Sequence, residues 1–336
     1  MNFGYIDQAH QLEWEKLVAE TPESGFMQTF FWADFKRQTG WETFKIGIFE
    51  DKKLIGGAII MKYYFGNTSF LYIPEGPVIN YADDQSKNIF KAFIREIDKL
   101  VTFWGKHPTT HLRIEPRLDK LPAYFKDFVK APYNLEPKQT LMIDLNLKEE
   151  EILASMKPKG RYNIKVAERF GIEIKSDDST SALPTFLNIY RQTKSRNSFK
   201  GKEDWYFESL APLLPSSKKG QFYTASYQGK ILAVALVIFF GERVSYFFGG
   251  STDTDKEKMA PYLLHFEIMK EAKSKGYRFY DLWGIAEKED DETNTWHGFS
   301  KFKRQFGGKR FDFIGTYDLV YNKKLYEKFL KESGEV

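Results

Sequence analysis

Lys301, Lys303, Arg304, Lys309 and Arg310 interleave with Phe302, Phe306 and Phe311 near the end of a 336-residue chain. In a strand, alternate residues face opposite ways, so Lys301 and Lys303 would share one face and Phe302 the other. Such a segment suits an unpaired RNA end, because bases stack on rings and phosphates meet lysines. It equally describes a solvated strand with a buried phenylalanine edge. A second basic group, Lys157, Lys159, Arg161, Lys165 and Arg169, is opposed only by Glu168. Met156 to Gly160 reads as a loop, with a helix from about Arg161. Cations at a helix start oppose its dipole, a conflict that an anionic partner would relieve, although a solvated surface is the plainer reading. Glu115 and Asp281 each end a predicted strand, where a carboxylate either accepts from a neighbouring amide or moves protons. Lys36 and Lys202, taken alone, are ordinary surface lysines.

Other chemistries find no residues to carry them. The chain has no cysteine, which excludes disulfides, thiol catalysis and cysteine-ligated zinc, and fits a reducing cytoplasm. His107-Pro108-Thr109-Thr110-His111 has the outer spacing of a zinc helix but lacks its glutamate and contains proline. Gly308-Lys309 lacks the rest of a phosphate loop, and there is no G-x-G-x-x-G. No metal and no cofactor are expected. Fifty Lys and Arg against 46 Asp and Glu leave a net charge of +4. That excess suits anionic partners without the strong basicity of a DNA-coating protein.

The elements that would position these residues come as a repeat. A length of 336 residues, 42% hydrophobic, suits two cores better than one. Lys45–Phe49 and Leu54–Tyr64 read as a hairpin, Ser69–Ile73 as a strand, and Pro74-Glu75-Gly76-Pro77 as a loop. Ile89, Phe90, Phe93, Ile94, Ile97, Leu100 and Val101 then recur at helical spacing, capped by Asp84 or Ser86, and His111–Ile114 is a strand. The order returns with Gln221–Tyr227, Ile231–Phe240 and Val244–Phe248 as strands, Gly249–Asp253 as a loop, Pro261–Lys275 as a helix and Arg278–Leu282 as a strand. Helices are also expected near Glu149 and over Lys323–Lys331. The expected fold is therefore α/β (mixed α+β), with two similar domains, each a mixed twisted sheet flanked by helices. Ile231–Phe240, the longest apolar run, has ten residues, whereas a membrane span needs about 20. Met1–Asp7 lacks the features of a signal peptide. The expectation is a cytoplasmic protein without a transmembrane segment, with peripheral membrane contact left open.

Six blocks, in order, resemble the FemABX family over roughly residues 24–320. They are Gly25-Phe26-Met27-Gln28-Thr29-Phe30-Phe31-Trp32-Ala33-Asp34-Phe35-Lys36 with Gly40-Trp41, Tyr72-Ile73-Pro74-Glu75-Gly76-Pro77-Val78, Tyr246-Phe247-Phe248-Gly249-Gly250-Ser251, Ala260-Pro261-Tyr262, Phe279-Tyr280-Asp281-Leu282-Trp283-Gly284-Ile285, and Gly298-Phe299-Ser300-Lys301-Phe302-Lys303-Arg304-Gln305-Phe306-Gly307. The resemblance implies two tandem domains like GCN5-type acetyltransferases: residues 1–145 with about 312–336, and residues 146–311. It also implies the short, FemX-like form without a helical arm, and a monomer.

The implied reaction moves an amino acid from aminoacyl-tRNA to the stem-peptide side-chain amine of a peptidoglycan precursor, either UDP-MurNAc-pentapeptide or lipid II. By the same resemblance, Phe302 and Lys303 fall on a dipeptide that binds the aminoacyl end, with Lys303 assigned to the ester carbonyl or its oxyanion. Lys36 falls on a contact to the acceptor's diphosphate. Lys202 stands where the short form has arginine, keeping the charge but losing the bidentate fork. Tyr246 matches a tyrosine near the site, Phe248 replaces a second one, and Glu115 matches an acidic residue with an implied role as base. Lys301, Arg304 and Lys309 are candidate tRNA contacts. Two rivals stand beside this reading. One is an acyl-CoA N-acyltransferase, for which Gln305 to Arg310 is the nearest pyrophosphate turn. The other is a non-catalytic module that binds RNA or an envelope precursor.

Overall fold

A computed structural model describes residues 1–101, 107–197, 199–289 and 291–334. The strands are β1 (Asn2–Tyr5), β2 (Glu42–Glu50), β3 (Lys53–Phe65), β4 (Thr68–Pro74), β5 (Thr109–Glu115), β6 (Val129–Lys130), β7 (Gln139–Asp144), β8 (Glu173–Asp177), β9 (Gly220–Tyr227), β10 (Lys230–Phe240), β11 (Arg243–Ser251), β12 (Phe279–Gly284), β13 (Lys309–Asp312) and β14 (Tyr317–Val320). They form two seven-stranded sheets, β1-β2-β3-β4-β5-β14-β6 and β8-β9-β10-β11-β12-β7-β13.

The two orders match position by position. In each sheet the fourth and fifth strands are parallel, β4 with β5 and β11 with β12, while the other pairs are antiparallel. A parallel pair needs a crossover, which the Ser86–Val101 and Ala260–Ser274 helices supply. Phe90, Phe93 and Ile97, at three- and four-residue spacing, belong to one core with Ile46, Ile48, Ile60, Leu71 and Leu112. Leu263, Phe266 and Met269 belong to the other, with Ala235, Val237 and Tyr280.

The chain forms two compact units, Met1–Lys138 with Phe313–Val336, and Gln139–Asp312. β7 thus serves the second sheet, although it precedes the boundary at 145 read from the sequence. Residues 335–336 of the segment expected to return to the first domain lie outside the described residues. Within the first unit, β14 pairs with β5 and is fastened there by charge. Arg113 grips Asp318 with two hydrogen bonds of 2.8 and 2.9 Å, and the Tyr326 hydroxyl donates to the same carboxylate at 2.7 Å. His111 stacks on Phe70 beside them, with ring centroids 5.0 Å apart.

Three local expectations are corrected. Pro158–Gly160 is not a loop but the first turn of the Pro158–Phe170 helix, with Pro at its first position. Gly249 and Gly250 are not a loop but part of β11, paired with Ala235 and Val234; a Cβ on Gly249 would come within 2.6 Å of the Val234 carbonyl oxygen. The segment holding Lys301 and Lys303 is not a strand but the His297–Lys303 helix, followed by a 3-10 turn over Arg304–Phe306. Phe299, Phe302 and Phe306 are three and four apart, so the same residues also satisfy helical periodicity. No helix among the described residues is long and apolar enough to cross a membrane.

Candidate active site

The second unit contains an opening that its counterpart lacks. β4 and β5 stay paired to their last residues, Pro74 with Glu115. β11 and β12 pair only over Arg243–Ser245 and Phe279–Asp281. Beyond that point β11 stays with β10 and β12 with β7, and both partnerships contain a register shift, at Leu236/Val237 and between Asp281 and Gly284. Bulges turn a strand and end its pairing on one side, which parts the central strands here. Trp283, at the second bulge, has φ +60°, a left-handed conformation that costs a bulky residue energy and that clusters at functional sites.

Tyr246 is the first β11 residue beyond the last paired position. Asp281 is the last paired residue of β12; it is wholly buried and accepts from the Thr140 hydroxyl and, at 2.8 Å, from the Trp283 amide. Lys303, 7% exposed, donates to the Gly284 carbonyl at 2.8 Å, with its Nζ 5.5 Å from the Tyr246 ring centroid and 5.0 Å from that of Phe299. Burial pushes this ammonium down to about 7, against the pull of the Asp281 carboxylate. The lysine therefore holds its proton less tightly than a surface lysine does. Burial raises the Tyr246 hydroxyl, and the neighbouring Tyr190 adds to the shift.

His265 is a site residue that the sequence reading missed. Its ring lies 4.4 Å from that of Tyr246 and its Nδ1 2.7 Å from the Tyr280 hydroxyl. Burial, then the charge of Lys303, push it down to about 3, so it is a neutral ring at the back of the site. The available signal was a single histidine within the apolar run Leu263–Phe266. Phe302 packs on Tyr262, His265 and Phe306, at 5.0, 5.4 and 5.2 Å, which makes it a wedge that seats Lys303.

Lys202 belongs to the same region. Its amide donates to the Tyr190 hydroxyl at 3.1 Å, and its Nζ lies 5.2 Å from the Tyr206 ring centroid. Tyr190 and Tyr206 both pack on Phe248, at 5.9 and 5.7 Å, so Phe248 keeps the ring but not the hydroxyl of the residue it replaces. Lys36 lies in the first unit, in the last turn of the Phe30–Gln38 helix, 4.9 Å from the Trp41 ring centroid.

Lys301 and Lys309 are exposed. Arg304 is not: it is 8% exposed, donates to the Ala286 carbonyl at 2.8 Å and pairs with Glu289 at 3.1 Å. That corrects its expected place on an RNA-facing surface. Gln305–Arg310 leads from a 3-10 turn into β13, not into the helix that a pyrophosphate turn requires. Among the described residues no group of three or more His, Asp or Glu is placed to hold a metal.

Glu115, in the first unit, is buried and accepts from the Tyr72 and Thr316 hydroxyls and from the Leu135 and Glu136 amides, at 3.0 and 3.1 Å for the amides. Burial raises its carboxyl, against the pull of these donors. Four donors leave little capacity for a substrate proton, so the geometry favours anchoring over the role of base. Glu115→Gln is expected to destabilise the fold by about 1–3 kcal/mol, because one of the two accepting oxygens becomes a buried donor facing the Tyr72 or Thr316 hydroxyl, while turnover stays near wild type. A folded variant with turnover down ~100-fold or more would restore Glu115 to the proton path.

The duplicated mixed sheet, parted only in its second copy, defines the class as tandem acetyltransferase-like. A tandem GNAT protein from the clavulanic acid pathway superimposes with TM-score 0.55 at 11% identity, over 94% of this chain and 97% of that one. FemX superimposes with TM-score 0.85 at 18% identity, over 98% and 99%. The lipid II:glycine glycyltransferase of Staphylococcus aureus (strain MRSA252) is 20% identical, over 94% of this chain and 92% of its own. The FemAB family model matches residues 10–121, 117–219 and 215–330. The chain belongs to the FemAB family, whose members are aminoacyltransferases.

Proposed function

We propose that this enzyme acts in the cytoplasm, as a monomer, to transfer an amino acid from aminoacyl-tRNA to the side-chain amine of a peptidoglycan stem peptide. The acceptor's amine attacks the ester carbonyl, the carbon–nitrogen bond forms, the bond to the ribose oxygen breaks, and the amine's proton passes to that oxygen. The observation that carries this reading is the Lys303 ammonium, buried where β11 and β12 part. One of its three protons is held by Gly284, which leaves two for an oxyanion. The name of the staphylococcal relative favours a lipid-linked acceptor, with UDP-MurNAc-pentapeptide as the alternative. The test is incubation with labelled aminoacyl-tRNA and each acceptor in turn: label should appear in one of them, and label in neither would overturn the reading.

Lys36 in the first unit and Lys202 in the second are each proposed, independently of the other, as a phosphate contact for the acceptor. One charge-assisted contact is worth about 1.5–3 kcal/mol, so Lys36→Ala or Lys202→Ala should raise the acceptor's Kd at least ~10-fold. Calorimetric titration checks this, and unchanged affinity in both variants would remove the assignment.

A further inference from the structure

We infer that the solvent face of the Pro158–Phe170 helix is a docking strip for the phosphate backbone of RNA, extending the donor site beyond the aminoacyl end; the inference rests on the tRNA-dependent reading above. The helix turns Gly160, Asn163, Ile164, Val166 and Ala167 inward. Outward it presents Lys159, Tyr162, Lys165 and Arg169, at three- and four-residue spacing and all exposed. Among the described residues no carboxylate lies within ion-pair distance of Lys159, Lys165 or Arg169, whereas Lys157 reaches Glu289 at 3.7 Å. Glu168 is the lone acid of the helix.

Three further observations point to RNA. Lys159 lies in the first turn, where the helix dipole disfavours cations; a phosphate over it removes that conflict. Tyr162 is 61% exposed, with the Arg169 guanidinium 6.0 Å from its ring centroid, and a ring with a planar cation beside it is a stacking surface for bases. The strip is also fixed to the candidate site. The Lys157 amide donates at 3.0 Å to the carbonyl of Gln305, two residues beyond Lys303, and a Cβ on Gly160 would collide with that same carbonyl. A membrane is the weaker partner, since surface-seeking helices bury a broad apolar face, whereas the one exposed aliphatic or phenyl side chain of this helix apart from Pro158 is Phe170 at its end, which packs edge-on to Tyr227.

The test combines Lys159→Glu, Lys165→Glu and Arg169→Glu, none of them in the catalytic machinery. Binding of uncharged tRNA is followed against salt, so that it reads out without turnover. Each lost phosphate contact should flatten the log–log salt slope by about 0.7–0.9, about 2–3 for the triple variant, with affinity at low salt down at least ~10-fold. Turnover of a short aminoacylated 3′ fragment should match wild type. If the fragment reacts normally while the tRNA slope and affinity are unchanged, the strip is not an RNA surface. Loss of pelleting with anionic vesicles, with tRNA binding intact, would give it to a membrane instead and overturn the inference. Should reversal unfold the helix, the corresponding Gln variants carry the same test with a smaller slope change. A wild-type protein that binds tRNA through the strip but transfers no amino acid would sink the proposed function and leave the strip standing.

Discussion

Lys303→Ala should lower kcat by about 10²–10³ with a smaller change in KM. The ester carbonyl is neutral in the ground state and gains negative charge as the amine attacks, so a fixed ammonium gains most at the tetrahedral stage; losing one such donor has an effect of this order in other enzymes. The site's construction supports a fixed charge, since the Gly284 carbonyl and the rings of Tyr246 and Phe299 hold Nζ in place. The pH dependence has a definite sign. A buried lysine lowered to about 7 loses its proton as pH rises through that value, so kcat/KM should fall above neutrality. Lys303→Arg should restore only part of the rate, because its wider fork moves the charge, and should shift the falling limb to higher pH. Rates that instead rise through pH 7 and need the neutral amine would contradict the oxyanion role.

Asp318→Ala should cost the first unit about 3–5 kcal/mol, as expected when one partner of a buried ion pair is removed. Both Arg113 and Asp318 are fully buried, and Asp318 also accepts from Tyr326. Hydrogen exchange at the amides of β5 and β14 reads this locally: protection there should fall with the global loss, whereas Tyr326→Phe, which removes one hydrogen bond, should cost about 1 kcal/mol. Exchange unchanged in Asp318→Ala would mean that the backbone pairing with β5 and the packing of Tyr317 and Leu319 on the core hold β14 without the ion pair.

The sequence made the repeat visible because helices and strands impose different apolar periods, and the period switches at the same points in both halves. Two of the quoted blocks meet in space: the Gln28 side chain donates to Pro74 at 2.6 Å and accepts from Ile59 at 2.8 Å, and the Met27 amide donates to Glu75 at 3.0 Å. Part of what identified the family is therefore scaffold. Burial was the hidden variable. Lys303 and Arg304 read as surface cations because Lys-Phe-Lys-Arg suits a strand or a helix equally, and only the fold decides which charges are enclosed. His265 has its partners Tyr246 and Tyr280 far away in sequence, so no local pattern marked it. The sixth strand of each sheet, β14 and β7, is supplied from outside the run of strands it joins, a non-local choice that short patterns cannot specify.

The most direct test of aminoacyl transfer is the intact mass of the acceptor after incubation with mixed aminoacyl-tRNAs, run in parallel with ribonuclease-treated tRNA and with acyl-CoA as donor. The account predicts a gain of one amino-acid residue on the stem-peptide side chain, present only with intact aminoacyl-tRNA and strongly reduced in Lys303→Ala. A gain that survives ribonuclease, that appears with acyl-CoA, or that falls on an acceptor lacking the side-chain amine would contradict it.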